Sequence, residues 1–83
     1  MTVRTQTRTA QVELAERIAL QQTWLAAASV IASARAAGRL DLASYRSEIA
    51  ILHEQGASVR FLAAATGRPV ATTGDDVRAG RLR

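Results

Sequence analysis

The 83-residue chain has no cysteine, no lysine, one proline and only three aromatic residues. The missing cysteine excludes disulfides, thiolate metal ligands and cysteine nucleophiles. The most apolar stretch, residues 24–34, is rich in alanine and reaches only about half the roughly 20 residues that a membrane span requires. The first eight residues are polar and lack the apolar core of a signal peptide. We therefore expect a soluble, cytoplasmic protein that does not enter a membrane.

The sequence contains few side chains that suit catalysis or cofactor binding. His53 is the one histidine, and no partner stands at the spacing that a general base or a metal ligand needs. The glutamates lie at helical spacing from arginines, which favours salt bridges on a helix surface. No glycine-rich phosphate loop is present. The sequence therefore predicts a protein that is not an enzyme and binds neither a cofactor nor a metal.

Length and charge indicate what kind of partner is plausible. A chain this short buries only about 60% of the surface of its unfolded state, so a monomer is only marginally stable. Short chains commonly gain stability by burying surface against a second copy. The net charge is +4, and all eleven basic residues are arginine. The guanidinium group suits bidentate contacts with phosphate. The charge therefore permits binding to nucleic acid, although an excess of this size is not diagnostic of it.

The first predicted helix covers residues 9–37 and carries two apolar stripes. The Leu14 stripe consists of Leu14, Ile18, Leu25, Ala28 and Ala32, and the Trp24 stripe consists of Leu20, Trp24, Ala27 and Ile31. The two stripes lie roughly 110° apart around the helix. A helix with two stripes has two surfaces to cover, so we predict that the Trp24 stripe contacts a second copy or a partner. The alternative is that the rest of this chain wraps one wide stripe.

Glycine and proline divide the remaining residues into three shorter helices. Caps are predicted at Asp41 for the second helix, Ser58 for the third, and Thr72 or Thr73 for the fourth, which ends before Gly80. The predicted inward-facing side chains are Leu42, Tyr45, Ile49, Leu52, Val59, Leu62, Ala63 and Val77. The sequence thus predicts an all-α fold. Residues 1–38 form a long helix for dimerisation or partner binding, and residues 39–83 form a compact trihelical unit.

The junction between the last two predicted helices, FLAAATG followed by RPVATT, has a small residue and then a glycine four positions later. A side chain larger than that of Ala63 would separate two crossing helices, and Gly67 can adopt a positive φ. This segment resembles the helix-turn-helix core of small bacterial and phage regulators. The segment VRAGRL at residues 77–82 resembles the end of the recognition helix in excisionase-like and MerR-like domains. The resemblance covers residues 41–83 and implies a version without a β-wing, because the sequence stops at Arg83.

The resemblance implies that the fourth helix meets the major groove of duplex DNA while arginines contact the phosphates. The residues expected to contact DNA are Arg60, Arg68, Thr72, Thr73, Arg78 and Arg81. The implied protein is a small DNA-binding regulator or accessory factor that acts as a homodimer through its first helix.

Several positions depart from the helix-turn-helix pattern and favour a different class of function. Arg68 and Thr73 stand where the pattern has apolar residues. Asp75 and Asp76 add negative charge to the helix that would approach DNA, although carboxylates also suit a helix N-terminus. The alternative is a non-catalytic adaptor or inhibitor, of phage or plasmid type, whose first helix docks on a larger host protein.

Overall fold

The computed structural model describes the backbone of residues 2–82 and the side chains of residues 9–82. This part of the chain forms four α-helices and no strand. The helices are α1 (Thr2–Ala36), α2 (Leu42–Glu54), α3 (Val59–Thr66) and α4 (Val70–Arg81). The predicted all-α fold, with a long first helix followed by three short ones, is confirmed.

Local capping chemistry sets the starts of α2 and α3 as predicted. The Asp41 carboxylate accepts a hydrogen bond from the Ser44 amide at 2.7 Å. The Ser58 hydroxyl accepts one from the Phe61 amide at 3.0 Å. Gly67 ends α3 with φ +73°, a left-handed conformation that glycine adopts without steric cost.

The boundaries of α4 differ from the prediction at both ends. The Thr73 amide donates to the Pro69 carbonyl at 2.9 Å, so helical hydrogen bonding begins before either threonine that was expected to cap the helix. Thr72 and Thr73 therefore lie inside the first turns of α4, and the predicted cap is wrong. Gly80 also lies inside the helix, which continues to Arg81. The reason is tertiary: at Gly80 the backbone of α4 comes against α2.

One hydrophobic core joins the four helices. Its buried members are Trp24, Ala28, Tyr45, Ile49, Leu52, Ala57, Leu62 and Val77. The most extensive packing is between α2 and α4, whereas α1 packs on α2 and α3 and makes no contact with α4. The described part of α1 therefore packs on α2 and α3 but not on α4, which leaves one face of α4 uncovered.

The Trp24 stripe belongs largely to the core of its own chain. Trp24 is 8% exposed, and its ring meets that of Phe61 edge to face with 6.2 Å between centroids. Ala27 and Ile31 are partly buried against the same core, while Leu20 remains 43% exposed. The predicted partner surface is thus corrected at Trp24, which is a core residue of its own chain. The short helices also cover Ala27 and Ile31 in part, so the alternative prediction holds only for this part of the helix.

The N-terminal part of α1 extends beyond the core. The helix is continuous through residues 21 and 22, and the molecule measures 55 Å along its longest axis against 23 and 20 Å along the others. Residues 9–23 are all exposed. They include four large apolar side chains, those of Val12, Leu14, Ile18 and Leu20. The C-terminal third of α1 is thus a core element, and the part before it is a protruding rod.

Candidate nucleic-acid interface

A three-residue turn, residues 67–69, connects α3 to α4. Ala63 is 4% exposed, in agreement with the prediction that no larger residue fits there. The Arg68 amide donates to the Ala63 carbonyl at 3.1 Å, which ties the turn to the end of α3. The left-handed Gly67 then lets the chain reverse within so few residues. The result is two short helices in close succession, the second with an uncovered face.

A buried carboxylate connects α2, the turn and α4. Asp76 is 1% exposed, and its Oδ1 accepts a hydrogen bond from Arg46 Nε at 3.0 Å. Its Oδ2 lies 3.2 Å from Arg68 Nε, an ion pair whose atoms are not aligned as a hydrogen bond. The Arg68 guanidinium carbon is 5.4 Å from the centroid of the buried Tyr45 ring. We refer to these four residues as the Asp76 cluster.

The Asp76 cluster changes the meaning of two sequence features. Asp76 was expected to add negative charge to the DNA-facing surface of the fourth helix, but it is buried and its charge is paired. Arg68 was expected to contact a phosphate of DNA, but its Nε is directed to that carboxylate. A buried charge is tolerated only when it is paired in this way. The two departures from the helix-turn-helix pattern therefore compensate each other.

Three of the arginines predicted to contact DNA are exposed: Arg60 on α3, and Arg78 and Arg81 on α4. Arg78 forms an ion pair with Asp75 on the same helix, with side chains 74% and 67% exposed. Exposed pairs of this kind contribute about 0–1 kcal/mol. The Arg78 guanidinium therefore exchanges readily between Asp75 and another anion.

The two threonines predicted to contact DNA differ in burial. Thr72 is half-buried at the edge of α4. Thr73 is 1% exposed, and its hydroxyl donates to the Pro69 carbonyl at 3.0 Å. It fills the core position at which the helix-turn-helix pattern has an apolar anchor, with its polar group satisfied within the helix. This corrects the expectation that Thr73 contacts DNA, because its side chain does not reach the surface.

The Leu14 stripe is divided between core and surface. Ala28 is fully buried and Ala32 is half-buried, so the chain covers this end of the stripe. Leu14, Ile18 and Leu25 are 54%, 46% and 49% exposed. Of the six exposed large apolar side chains in the described part of α1, three are thus on the Leu14 stripe and one, Leu20, is on the Trp24 stripe.

The described residues bring together little that is typical of catalysis. His53 Nδ1 lies 2.8 Å from the Ala57 carbonyl, a hydrogen bond that closes the link between α2 and α3. Among residues 9–82, no three side chains of the metal-ligating types meet. None of the helices in that range has the length and apolar character to cross a membrane.

Sequence reasoning did not select Arg46, although it completes the Asp76 cluster. A signal was present in the pattern. Asp76 follows Thr73 and precedes Val77, which places it on the inward face of α4. A carboxylate on an inward face requires a cation. Arg46, next to the inward-facing Tyr45 on α2, was a candidate for that cation.

The described residues thus form two candidate binding surfaces. One is the α3–α4 pair with its exposed arginines, and the other is the protruding part of α1 with its exposed apolar side chains. Comparison of the chain with models of protein families, with curated proteins and with solved structures finds no match.

Proposed function

We propose that this protein is a small DNA-binding regulator or accessory factor that binds duplex DNA as a homodimer. The observation that carries the proposal is the α3–α4 arrangement, in which Ala63 is buried, Gly67 is left-handed and α4 has an uncovered face. In helix-turn-helix proteins the second helix of such a pair enters the major groove. Arg78 and Arg81 on α4 and Arg60 on α3 are exposed and supply positive charge for the phosphates.

The side chains on α4 favour contacts with the DNA backbone over base reading. The exposed or half-buried positions include Ala71, Thr72 and Asp75, and the exposed side chains of α4 that suit a bidentate contact are Arg78 and Arg81. Phosphate contacts position a protein on the duplex but carry no direct sequence information. We therefore expect salt-sensitive binding with modest sequence selectivity, which suits an accessory factor.

The homodimer is proposed to form through the Leu14 stripe. Ile18 and Leu25 occupy a positions of a heptad, and Leu14 and Gln21 occupy d positions. Ile18 at a with Leu14 at d is the combination of a β-branched residue and leucine that favours two parallel strands. The Gln21 amide has both donor and acceptor groups, so it can pair with its counterpart in a second copy. The seam is therefore complementary to itself.

Salt-dependent binding to a short labelled duplex tests the DNA part of the proposal. Arg78→Gln and Arg81→Gln should each weaken binding and lower the log–log salt slope by about 0.9, because each removes one phosphate contact. Arg17→Gln is the matched control, since it removes the same charge from α1, which does not touch α4. Absence of duplex binding at low salt, or an equal effect of all three substitutions, would contradict the proposal.

Sedimentation at micromolar concentration tests the dimer. The wild type should be a dimer, and Leu14→Glu combined with Ile18→Glu should produce a folded monomer, because both side chains are exposed in the single chain. Val12→Glu is the control, because Val12 is equally exposed but lies on another face of α1. A wild-type monomer would remove the homodimer from the proposal.

One observation favours the adaptor or inhibitor as a second candidate. Val12 and Leu20 are exposed apolar residues outside the Leu14 stripe, so a two-stranded pairing leaves them uncovered. A larger host protein with a groove could cover more than one face of the rod. This candidate predicts negligible duplex binding even at low salt. It also predicts a nuclease-resistant one-to-one complex with one host protein that Leu14→Glu disrupts.

A further inference from the structure

The two arginines of the Asp76 cluster hold their carboxylate with only part of their hydrogen-bonding capacity. Arg46 and Arg68 both approach Asp76 through Nε, at 3.0 and 3.2 Å. Neither donates from a terminal Nη to any residue that the structure describes. Their side chains are 36% and 35% exposed, whereas that of Asp76 is 1% exposed. The carboxylate therefore pairs with the Nε side of both guanidinium groups, by a hydrogen bond from Arg46 and an ion pair with Arg68, and no described residue accepts from their terminal Nη donors.

The cluster fixes two like charges next to each other. The arginines contact different oxygens of the same carboxylate, so their guanidinium groups are one carboxylate apart. Two positive charges and one negative charge leave an excess of one positive charge. The Tyr45 ring beside Arg68 adds a cation–π contact that restrains the guanidinium. The arginines are thus preorganised, which lowers the entropic cost of binding an anion.

We propose that Arg46 and Arg68 form a phosphate-binding clamp, with Asp76 as the residue that positions them. The Nη edge of a guanidinium matches two oxygens of a phosphate, and both arginines, each about one third exposed, are held by the same carboxylate through the opposite, Nε side. The ligand is a phosphate group, either from a nucleic-acid backbone or from a free phosphate compound. The choice of DNA as its source rests on the proposed function, whereas the phosphate chemistry does not.

The place of the clamp in the fold agrees with a DNA backbone as the source. Arg68 precedes the first residue of α4 by two positions, and Arg46 lies on α2, the helix that packs most extensively against α4. A phosphate in the clamp would therefore lie beside the helix that is proposed to enter the groove. The clamp adds Arg46, which no sequence pattern selected, to the phosphate contacts.

The first test uses the two adjacent aspartates, for which the clamp predicts opposite effects on duplex affinity. Asp75→Asn removes an exposed negative charge and frees Arg78, so binding to a labelled duplex should strengthen. Asp76→Asn makes the protein equally more positive, yet binding should weaken because the arginines lose their positioning carboxylate. Net charge alone predicts that both substitutions strengthen binding. An Asp76→Asn protein that melts cooperatively and binds as tightly as Asp75→Asn would overturn the clamp.

The second test removes the arginines one at a time. Arg46→Gln and Arg68→Gln each leave Asp76 with one cationic partner, so no buried charge is left alone. Each should reduce duplex affinity roughly tenfold to a hundredfold, the range for a hydrogen bond to a charged group. Each should also lower the salt slope by about 0.9. Arg17→Gln removes the same charge from the rod and should leave the affinity nearly unchanged.

A third measurement does not depend on the stability of a variant. Inorganic phosphate and dimethyl phosphate are titrated into the ¹⁵N-labelled wild type, and the arginine Nε–H signals are followed by NMR. Saturable shifts confined to Arg46 and Arg68, with the Arg17 and Arg60 signals unmoved, would support the clamp. Equal or negligible shifts at all four arginines would overturn it.

Together these tests separate failure of the clamp from failure of the proposed function. Duplex binding that depends on Arg78 and Arg81 but not on Arg46 or Arg68 would overturn the clamp and leave the function standing. Phosphate shifts at Arg46 and Arg68 without any duplex binding would support the clamp with a free phosphate compound as its source. That result would remove the DNA-binding function.

Discussion

The approach of α4 to α2 at Gly80 yields the sharpest prediction about stability. A methyl group on Gly80 would lie 2.1 Å from the Arg46 carbonyl oxygen, 2.6 Å from its carbonyl carbon and 2.9 Å from Ala50 Cβ. All three distances are below 3.0 Å, which real Cβ contacts essentially never show. Two of the obstructing atoms belong to the backbone, so no side-chain rotation relieves the overlap. Gly80→Ala must therefore push α2 and α4 apart.

The expected size of this effect follows from two opposing contributions. Overpacking a core costs about 1–3 kcal/mol, and the upper part of that range applies when the backbone must move. Alanine in place of glycine inside a helix returns about 1 kcal/mol. We therefore expect Gly80→Ala to lower the free energy of unfolding by about 2 kcal/mol. Gly74 is the matched control on the same helix, because its nearest neighbour is Val59 Cγ1 at an ordinary 3.9 Å.

Urea and thermal denaturation followed by circular dichroism measure both variants. Gly74→Ala should raise the free energy of unfolding by up to about 1 kcal/mol, so the two substitutions should differ by about 3 kcal/mol. In a domain of this size 1 kcal/mol moves the melting temperature by roughly 4–8 °C. A Gly80→Ala protein as stable as Gly74→Ala would refute the close approach of α4 to the Arg46 carbonyl.

Three further substitutions test the core. Ala63→Glu should abolish cooperative unfolding, because it buries an uncompensated charge in a packed site, and an unchanged thermal melt would contradict the α3–α4 packing. Trp24→Ala should lower the free energy of unfolding in urea by about 3–5 kcal/mol, since the ring packs on Phe61 and its N–H donates to Gln55. A loss below about 1 kcal/mol would mean that the ring is not part of the core. Thr73→Val should be neutral or stabilising, because the Pro69 carbonyl keeps its bond from the backbone amide of residue 73; destabilisation beyond about 1 kcal/mol would show a further role for the hydroxyl.

Features that depend on a few neighbouring residues could be predicted from the sequence. The caps at Asp41 and Ser58 and the left-handed Gly67 require only a side chain or a glycine next to the helix end. The inward faces of α2 and α3 follow from helical periodicity. Tyr45 and Leu62 are accordingly buried where the pattern put them.

The misassigned residues of α4 are those whose local preference was overruled by packing. Glycine commonly ends a helix, but Gly80 lies inside α4 because only a residue without a side chain fits against the Arg46 carbonyl. Threonine commonly caps a helix, but Thr73 bonds its hydroxyl to Pro69 and buries its methyl group. Local rules cannot distinguish a capping residue from an interior one in these two cases. The residue that decides for Gly80 is Arg46, which is distant in sequence, and for Thr73 it is Pro69, whose carbonyl accepts the first helical hydrogen bond.

The sequence by itself determined four helices, most of their ends and the existence of two apolar stripes on α1, because these depend on contacts within a few residues. Only the tertiary structure decided that α2 and α3 bury Trp24, partly cover Ala27 and Ile31, and leave Leu14, Ile18 and Leu25 exposed. It also brought Arg46 to Asp76, 30 residues away. Both outcomes depend on how separate helices dock, and docking is set by the shapes of all the packed side chains together, which periodicity along one helix does not specify.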